Sequence, residues 1–459
     1  MKRTGSSGPG GYNNGAKKAR AFEEDGPSFE EELGMMDQMD FEVIEGVEGD
    51  TAESQEIRWT RAKTGYDCGE ALAFHWIDID MISGQPLPSN PDGTDVVGST
   101  EGPVPVIRMY GVTAQGQSVM ANVHGFTPYF YISFPASVEL TDNLLGQLRA
   151  SLDQKCREKA RGEEKNLSKY VLGAERTVPM QSLLGYHFDE QKVFVKLYVA
   201  MPSLVPGIKR MVDDGVQISG SGVIRGQTYE SNVPFVLRFM IDNDISGADW
   251  VQLPANSYHV IPPSEQKSRC SVEVDVFYTN VIHRECVGEW STIAPLRILS
   301  FDIECQGRKG HFPDAQFDPV IQIANTVTLQ GSDQPIIRNV FTLNTCLPIV
   351  GAQVICCATE EELLMRWRAF VVASDPDLIT GYNIANFDFP YLLNRAKALE
   401  KQYTKLKRFP DLGRILGVRA VMRDTTFQSS AFGKRENVET TINGRVIFDL
   451  LPYMFRNHK

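Results

Sequence analysis

Two carboxylates, Asp302 and Glu304, stand at positions i and i+2 at the end of an apolar, β-rich run, residues 296–304. Residues two apart on a strand point to the same face, so both acids project together while Ile303 turns the other way into packing. Neighbouring anions on a half-buried strand repel and resist desolvation unless a cation joins them. A hard divalent ion, Mg²⁺ or Mn²⁺, is the natural partner for carboxylate oxygens. Spacing alone is not diagnostic, because Asp40-Phe41-Glu42 repeats it within an acidic tail. A third acid, Asp388, falls in the first turn of a helix that Pro390 helps to open. An anion is stabilised there whether it caps the helix or ligates a metal.

The elements that must bring these acids together are legible in the pattern. Residues 296–304, 320–329 and 338–343 read as three strands of an antiparallel meander. Thr359 and Glu362 form a capping box, opening a helix on which Leu363, Leu364, Trp367, Phe370 and Val371 recur at helical spacing. Asp375-Pro376 ends it, residues 378–382 read as a short buried strand, and the loop 383–387 leads to Asp388. Leu392, Leu393, Ala396 and Leu399 line the apolar face of the helix that follows. Upstream, residues 56–289 alternate short β-like runs with turn residues. The expected strands are 104–110, 118–123, 129–134, 192–199, 235–239 and 271–278, with a charged helical segment at 140–165. This is an α+β pattern without a catalytic constellation. His75, His124, His187, His259 and His283 are scattered and read as packing or surface residues.

A chain of 459 residues with 42% hydrophobic content is large enough for two or three domains with full cores. No run of about 18 apolar residues and no signal peptide is visible, so neither membrane spanning nor secretion is expected. The eight cysteines show no CxxC spacing and read as reduced, mostly buried thiols of an intracellular protein rather than a zinc or iron–sulfur site. The net charge of -12 is unevenly divided: residues 1–20 carry +5, residues 21–57 carry -14, and residues 58–459 carry only -3. Acidity therefore belongs to the tail and does not argue against a polyanionic partner. Residues 395–459 hold fourteen bases against six acids, which predicts a basic surface beside the acidic motifs.

Residues 1–57 are expected to be disordered. Lys2-Arg3 with Lys17-Lys18-Ala19-Arg20 has the form of a two-part nuclear import signal, and also of a simple solubilising end. Phe22, Phe29, Leu33, Met35 and Met36 among the acids suit either a short docking helix or an unbound tail.

Taken together, Phe301-Asp302-Ile303-Glu304 and Asn383-Ile384-Ala385-Asn386-Phe387-Asp388 resemble the first two motifs of the proofreading exonuclease of family B DNA polymerases. The strand and helix order matches the core of a ribonuclease-H-like exonuclease. Further upstream, His124-Gly125-Phe126-Thr127-Pro128-Tyr129-Phe130, Tyr229-Glu230-Ser231-Asn232 and Arg238-Phe239-Met240 resemble the family's amino-terminal domain. The resemblance covers roughly residues 55–459. Beyond the tail at 1–57, it implies a family B amino-terminal domain at 58–290 of α+β class, and an α/β exonuclease domain at 291–459.

By that resemblance, Asp302, Glu304 and Asp388 hold two Mg²⁺ or Mn²⁺ ions for 3′-5′ removal of mispaired nucleotides from a primer end. Asn383 and Phe387 match positions that contact the frayed single strand, although Phe387 also suits ordinary core. Residues 425–429 and 438–442 around a Gly433-Lys434-Arg435 turn suggest a hairpin of the kind that parts primer from template. Lys434 and Arg435 would then meet phosphates, or else form a solvated turn. The family also implies a sliding clamp, accessory polymerase subunits and the nucleus as its setting.

The family's exonuclease uses a fourth carboxylate in a Tyr-x-x-x-Asp motif, and none follows Asp388: Arg395, Lys407 and Asn457 stand four residues beyond Tyr391, Tyr403 and Tyr453. Palm and fingers motifs are also absent. The chain therefore reads as the amino-terminal and exonuclease part of a replicative polymerase, ending before the last exonuclease helix, with weak or no hydrolysis of its own. The alternative is an inactive short form that binds nucleic acid or a partner.

Overall fold

Alternation decides which face of the central sheet is buried. Along β1 (Arg297–Cys305) Leu299, Phe301 and Ile303 are buried, while Asp302 and Glu304 face out. A computed structural model of the chain describes residues 59–61, 65–87, 102–181, 191–218, 222–429 and 433–457. The expectations for the tail, for His187 and for the Lys434 and Arg435 side chains lie outside the described residues. The chain divides into two compact units, residues 1–47 and 48–459, and only the second is described.

The carboxy-terminal half of that unit is built on a six-stranded sheet. β1, β2 (Val320–Leu329) and β3 (Pro335–Leu343) form the expected antiparallel meander. β4 (Gln353–Cys357) adds in parallel to β3, a strand the sequence reading lacked. On the other side of β1, β5 (Leu378–Gly381) and then β8 (Val446–Asp449) pair in parallel. The intervening β6 (Val421–Ser429) and β7 (Gly433–Thr441) form a separate hairpin.

Helix α1 (Glu360–Ser374) keeps the first bond of the capping box, the Thr359 hydroxyl accepting the Glu362 N–H at 3.2 Å, while the Glu362 carboxylate reaches one residue further back and accepts the Ala358 N–H at 2.8 Å. Its apolar stripe packs on the sheet, with Trp367 fully buried and donating its indole N–H to Asn325 at 2.9 Å. Helix α2 (Asp388–Leu399) covers the same core, and Phe389 meets Phe301 edge to face. Helix α3 (Leu450–Asn457) follows β8.

The amino-terminal half holds a seven-stranded sheet whose longest strands are Leu72–Gly84 and Val104–Val112, and a four-stranded sheet against which the helix Asp142–Lys159 packs. Three expectations need correction. The charged helix is shorter than 140–165, a 3-10 turn occupying 162–166. The run Phe235–Asp242 is a helix, because Pro234 sets its start and Phe239 turns inward at i+4 from Phe235. Gly433, Lys434 and Arg435 lie in β7, opposite Ser429, Gln428 and Phe427, rather than at the hairpin turn.

The cysteines differ as well. Only Cys156, Cys270 and Cys357 are buried, while Cys68, Cys286, Cys346 and Cys356 are exposed. No helix among the described residues is long and apolar enough to cross a membrane.

The two halves interlock. Trp59 sits in the core of the six-stranded sheet, edge-on to Phe370 with ring centroids 5.1 Å apart. Asp78 and Asp80 accept from the Gly444 N–H at 3.2 Å and from Asn443 Nδ2 at 3.1 Å. Gly444 has φ +77°, and a Cβ there would come within 2.9 Å of the Tyr110 ring, so only glycine lets this loop close on the first sheet.

Candidate active site

β1 delivers Asp302 and Glu304 to the end of the sheet where the loop between β5 and α2 crosses. A register shift against β2 follows Glu304 immediately, as a bulge does where a strand must re-aim its side chains. Asp388, the first residue of α2, is buried, and its Oδ1 accepts the Ile303 N–H at 3.1 Å. That bond places its carboxyl beside Asp302. Burial first, and the Asp302 carboxylate second, push the Asp388 carboxyl up to about 7.

The structure thus brings Asp302 and Asp388 together. Glu304 is exposed on the same strand face with no hydrogen bond or ion pair among the described residues. No group of three or more His, Cys, Asp or Glu side chains among those residues is close enough to hold a metal ion as placed. The donor chemistry nevertheless suits one: two crowded oxygen ligands that retain a proton near neutrality are a pair that a hard divalent cation relieves by replacing that proton.

The loop that carries Asp388 is held from below. Gly381 ends β5 against the Phe301 carbonyl, where a Cβ would meet that oxygen at 2.5 Å. Asn383 adopts φ +63°, a conformation that asparagine tolerates better than most residues. The Asp449 carboxylate, at the end of β8, accepts the N–H groups of Asn383 at 2.8 Å and Ala385 at 3.0 Å. Sequence reasoning missed Asp449, whose only signal was an acid between a β-like run and a helix. Gly381→Ala is expected to destabilise the chain by about 1–3 kcal/mol, through forced separation of β5 from β1. Urea unfolding measures this, and an unchanged midpoint would contradict the close approach.

Phe387 is half-buried, with its ring 5.6 Å from both Phe312 and Tyr391. Phe312 is 76% exposed while Tyr391 belongs to the core, so the Phe387 ring spans from core to surface. Asn383 is half-buried at the loop's start, and Asn386 Oδ1 accepts the Val438 N–H at 3.1 Å, tying the hairpin to this loop. The basic surface expected from residues 395–459 is thinner than the formal count. Arg395 pairs with Glu360 at 2.8 Å, and Arg414 and Arg445 are buried against acids.

The family model described as DNA polymerase family B, exonuclease domain, matches residues 226–459. The chain belongs to DNA polymerase family B. A second model, described as DNA polymerase delta catalytic subunit-like, N-terminal domain, matches residues 125–206.

Within the family the chain is similar to DNA polymerase delta catalytic subunits. It is 42% identical over 459 residues to that of Drosophila melanogaster, covering 97% of this chain and 41% of the relative. It is 44% identical over 405 residues to that of Glycine max, covering 88% and 36% respectively. With that of Schizosaccharomyces pombe the identity is 37% over 466 residues, covering 100% and 39%. The chain spans about two fifths of the length of these relatives. The solved structure of the family B DNA polymerase from the hyperthermophilic archaeon Pyrobaculum calidifontis superposes with a TM-score of 0.50 at 22% identity, over 84% of this chain and 38% of that one. At that identity the likeness is one of fold, here with a ribonuclease-H-like exonuclease architecture. Exonuclease domains of family B are metal-dependent, and no polymerase domain lies in this chain.

Proposed function

We propose that residues 291–459 carry the proofreading 3′-5′ exonuclease of a replicative DNA polymerase, and residues 58–290 its amino-terminal domain, with Trp59 and Arg61 strapped onto the exonuclease core. The contact between Asp302 and Asp388, made by elements distant in sequence, supports this reading most directly. Asp302, Glu304 and Asp388 would hold Mg²⁺ or Mn²⁺, two ions in this reading, which supply water activation and neutralise charge on the leaving 3′-oxygen. Asn383 would hydrogen-bond the frayed strand, and Phe387, backed by Phe312, would stack on a terminal base. Lys434 and Arg435 would meet backbone phosphates without sequence preference. A sliding clamp, accessory subunits and import through the basic tail belong to the same reading.

Titration of the chain with Mn²⁺, followed by electron paramagnetic resonance, tests it. Binding should vanish in Asp302→Ala/Glu304→Ala, and a 5′-labelled single strand should shorten slowly from its 3′ end in the parent chain alone. Slow turnover is expected because residues 389–459 supply no Tyr-x-x-x-Asp acid. Mn²⁺ binding indifferent to both substitutions would refute the assignment. The lack of a ready three-acid cluster favours one other reading, a non-catalytic nucleic-acid-binding module. Strand binding that persists in EDTA without any turnover in Mg²⁺ would select it.

A further inference from the structure

We propose that Arg269, Arg368 and Arg408 form a binding site for a phosphate group, separate from the three acids. These arginines come from three different elements and are brought together by packing. Trp367 of α1 stacks on Phe409, with ring centroids 6.0 Å apart and planes 27° from parallel. This packs α1 against the segment that carries Arg408, so that the charges of Arg368 and Arg408 act on one another. The Arg269 N–H donates to the Arg414 carbonyl at 2.7 Å, and its Nη1 donates to the Gly413 carbonyl at 2.6 Å and the Ile415 carbonyl at 3.3 Å. Those bonds fix the third guanidinium from the amino-terminal half against the same segment.

What the cluster lacks is an anion in direct contact. Among the described residues none of the three guanidiniums forms an ion pair, and the Arg368 Nε is buried without a hydrogen-bond partner. Asp411 acts on both Arg269 and Arg368, and Asp375, already shared among other arginines, acts on Arg269 as well, so positive charge remains in excess. Burial, then the neighbouring Arg269, drive the Arg368 guanidinium below its usual basicity, and burial, with Arg408 adding to it, does the same to Arg269. Guanidiniums brought near one another repel unless an anion joins them, and a phosphate offers the several acceptor oxygens that forked donors need.

The Arg269 side of the site lies toward the end of β1 opposite Asp302. Arg414, whose carbonyl anchors Arg269, pairs through its side chain with Asp375 and Asp377, and the Asp377 N–H bonds the Arg297 carbonyl at the opposite end of β1. Five residues of strand, about 17 Å, separate Arg297 from Asp302.

The test is calorimetric titration of residues 1–459 in EDTA, with pyrophosphate in one arm and a single-stranded oligonucleotide in the other. Either Arg368→Gln or Arg408→Gln should weaken at least one arm tenfold or more. Arg368→Lys should retain part of the binding. The unliganded melting temperature should stay level or rise, since each substitution removes repulsion; a fall would mark the arginines as structural and overturn the proposal. Loss in the oligonucleotide arm assigns the phosphate to a nucleic-acid backbone, and loss in the pyrophosphate arm alone assigns it to a free phosphate. Unchanged binding in both arms, or a synthetic peptide of the acidic residues 21–57 binding where neither phosphate probe does, would overturn it.

Discussion

Replacing Asp302 with alanine will take 3′-terminal hydrolysis by this chain to background, a loss of at least about a hundredfold, or ~2.7 kcal/mol of transition-state stabilisation. Asp302 is exposed, pairs across the sheet with Ala324, and contributes little to packing, so the fold should survive the change. Asp388→Asn should be as damaging to hydrolysis with the opposite effect on stability. An asparagine oxygen can still accept the Ile303 N–H, whereas the buried charge beside Asp302 is gone. Lost activity with a level or higher melting temperature is what a group kept for chemistry at a cost in stability should show. Gel assays on a 5′-labelled oligonucleotide, with thermal melts of each variant, decide the matter. A tenth or more of the parental rate remaining in either variant would remove these acids from the machinery.

The parts of this site that were legible in the sequence share one property: they are local. Leu299, Phe301 and Ile303 alternate with Asp302 and Glu304, and that period of two fixes which acids leave the core. Thr359 and Glu362 announce α1 through bonds spanning three residues. Short apolar runs carry no such period. Residues 235–239 are too few to separate strand from helix, and Pro234 just before them was the better cue. Gln353–Cys357 is short, and its pairing with β3 is decided across the sheet. Gly433 invited a turn that its partner strand overrules, since Gly433 pairs with Ser429.

Formal charge was the least transferable quantity. A count of bases cannot tell that Arg395, Arg414 and Arg445 are consumed by Glu360, Asp375 and Asp377. Nor does any local pattern link Asp449 to a loop more than sixty residues upstream. Contacts of that range are set by the packed sheet, which is why Asp302 and Asp388 meet although neither position predicts the other.

The same long-range logic gives the largest expected stability effect. Asp375 and Asp377, at the end of α1, are buried among arginines from both halves of the chain. Arg61 grips Asp377 through two bonds of 3.1 and 2.5 Å. Arg414 reaches both acids, bonding Asp375 at 2.9 Å, and Arg445 reaches Asp375 at 2.8 Å. Asp377 also accepts the Arg297 N–H at 2.6 Å, so it anchors the start of the strand that ends in the acidic pair.

Asp377→Ala would take one of two shared carboxylates from the buried Arg61 and Arg414 guanidiniums and leave the Arg297 N–H without that acceptor, and should cost about 3–5 kcal/mol. Arg414→Met, which leaves Asp377 with Arg61 alone and Asp375 with Arg61 and Arg445, should fall in the same range. The acid side has a defined sign. Burial works to raise the Asp375 carboxyl, but Arg414, Arg61 and Arg445 outweigh it and hold the group well below the usual carboxylate range. Its contribution is therefore fully present above ~4, the unfolded value, and is lost as pH falls toward the folded one. Chemical unfolding of the parent chain should steepen in its loss of stability below about pH 4. In Asp375→Asn that added steepness should disappear. Parallel pH profiles for the two proteins would show that the cluster is not the acid-sensitive joint between the amino-terminal sheet and the strand that presents Asp302.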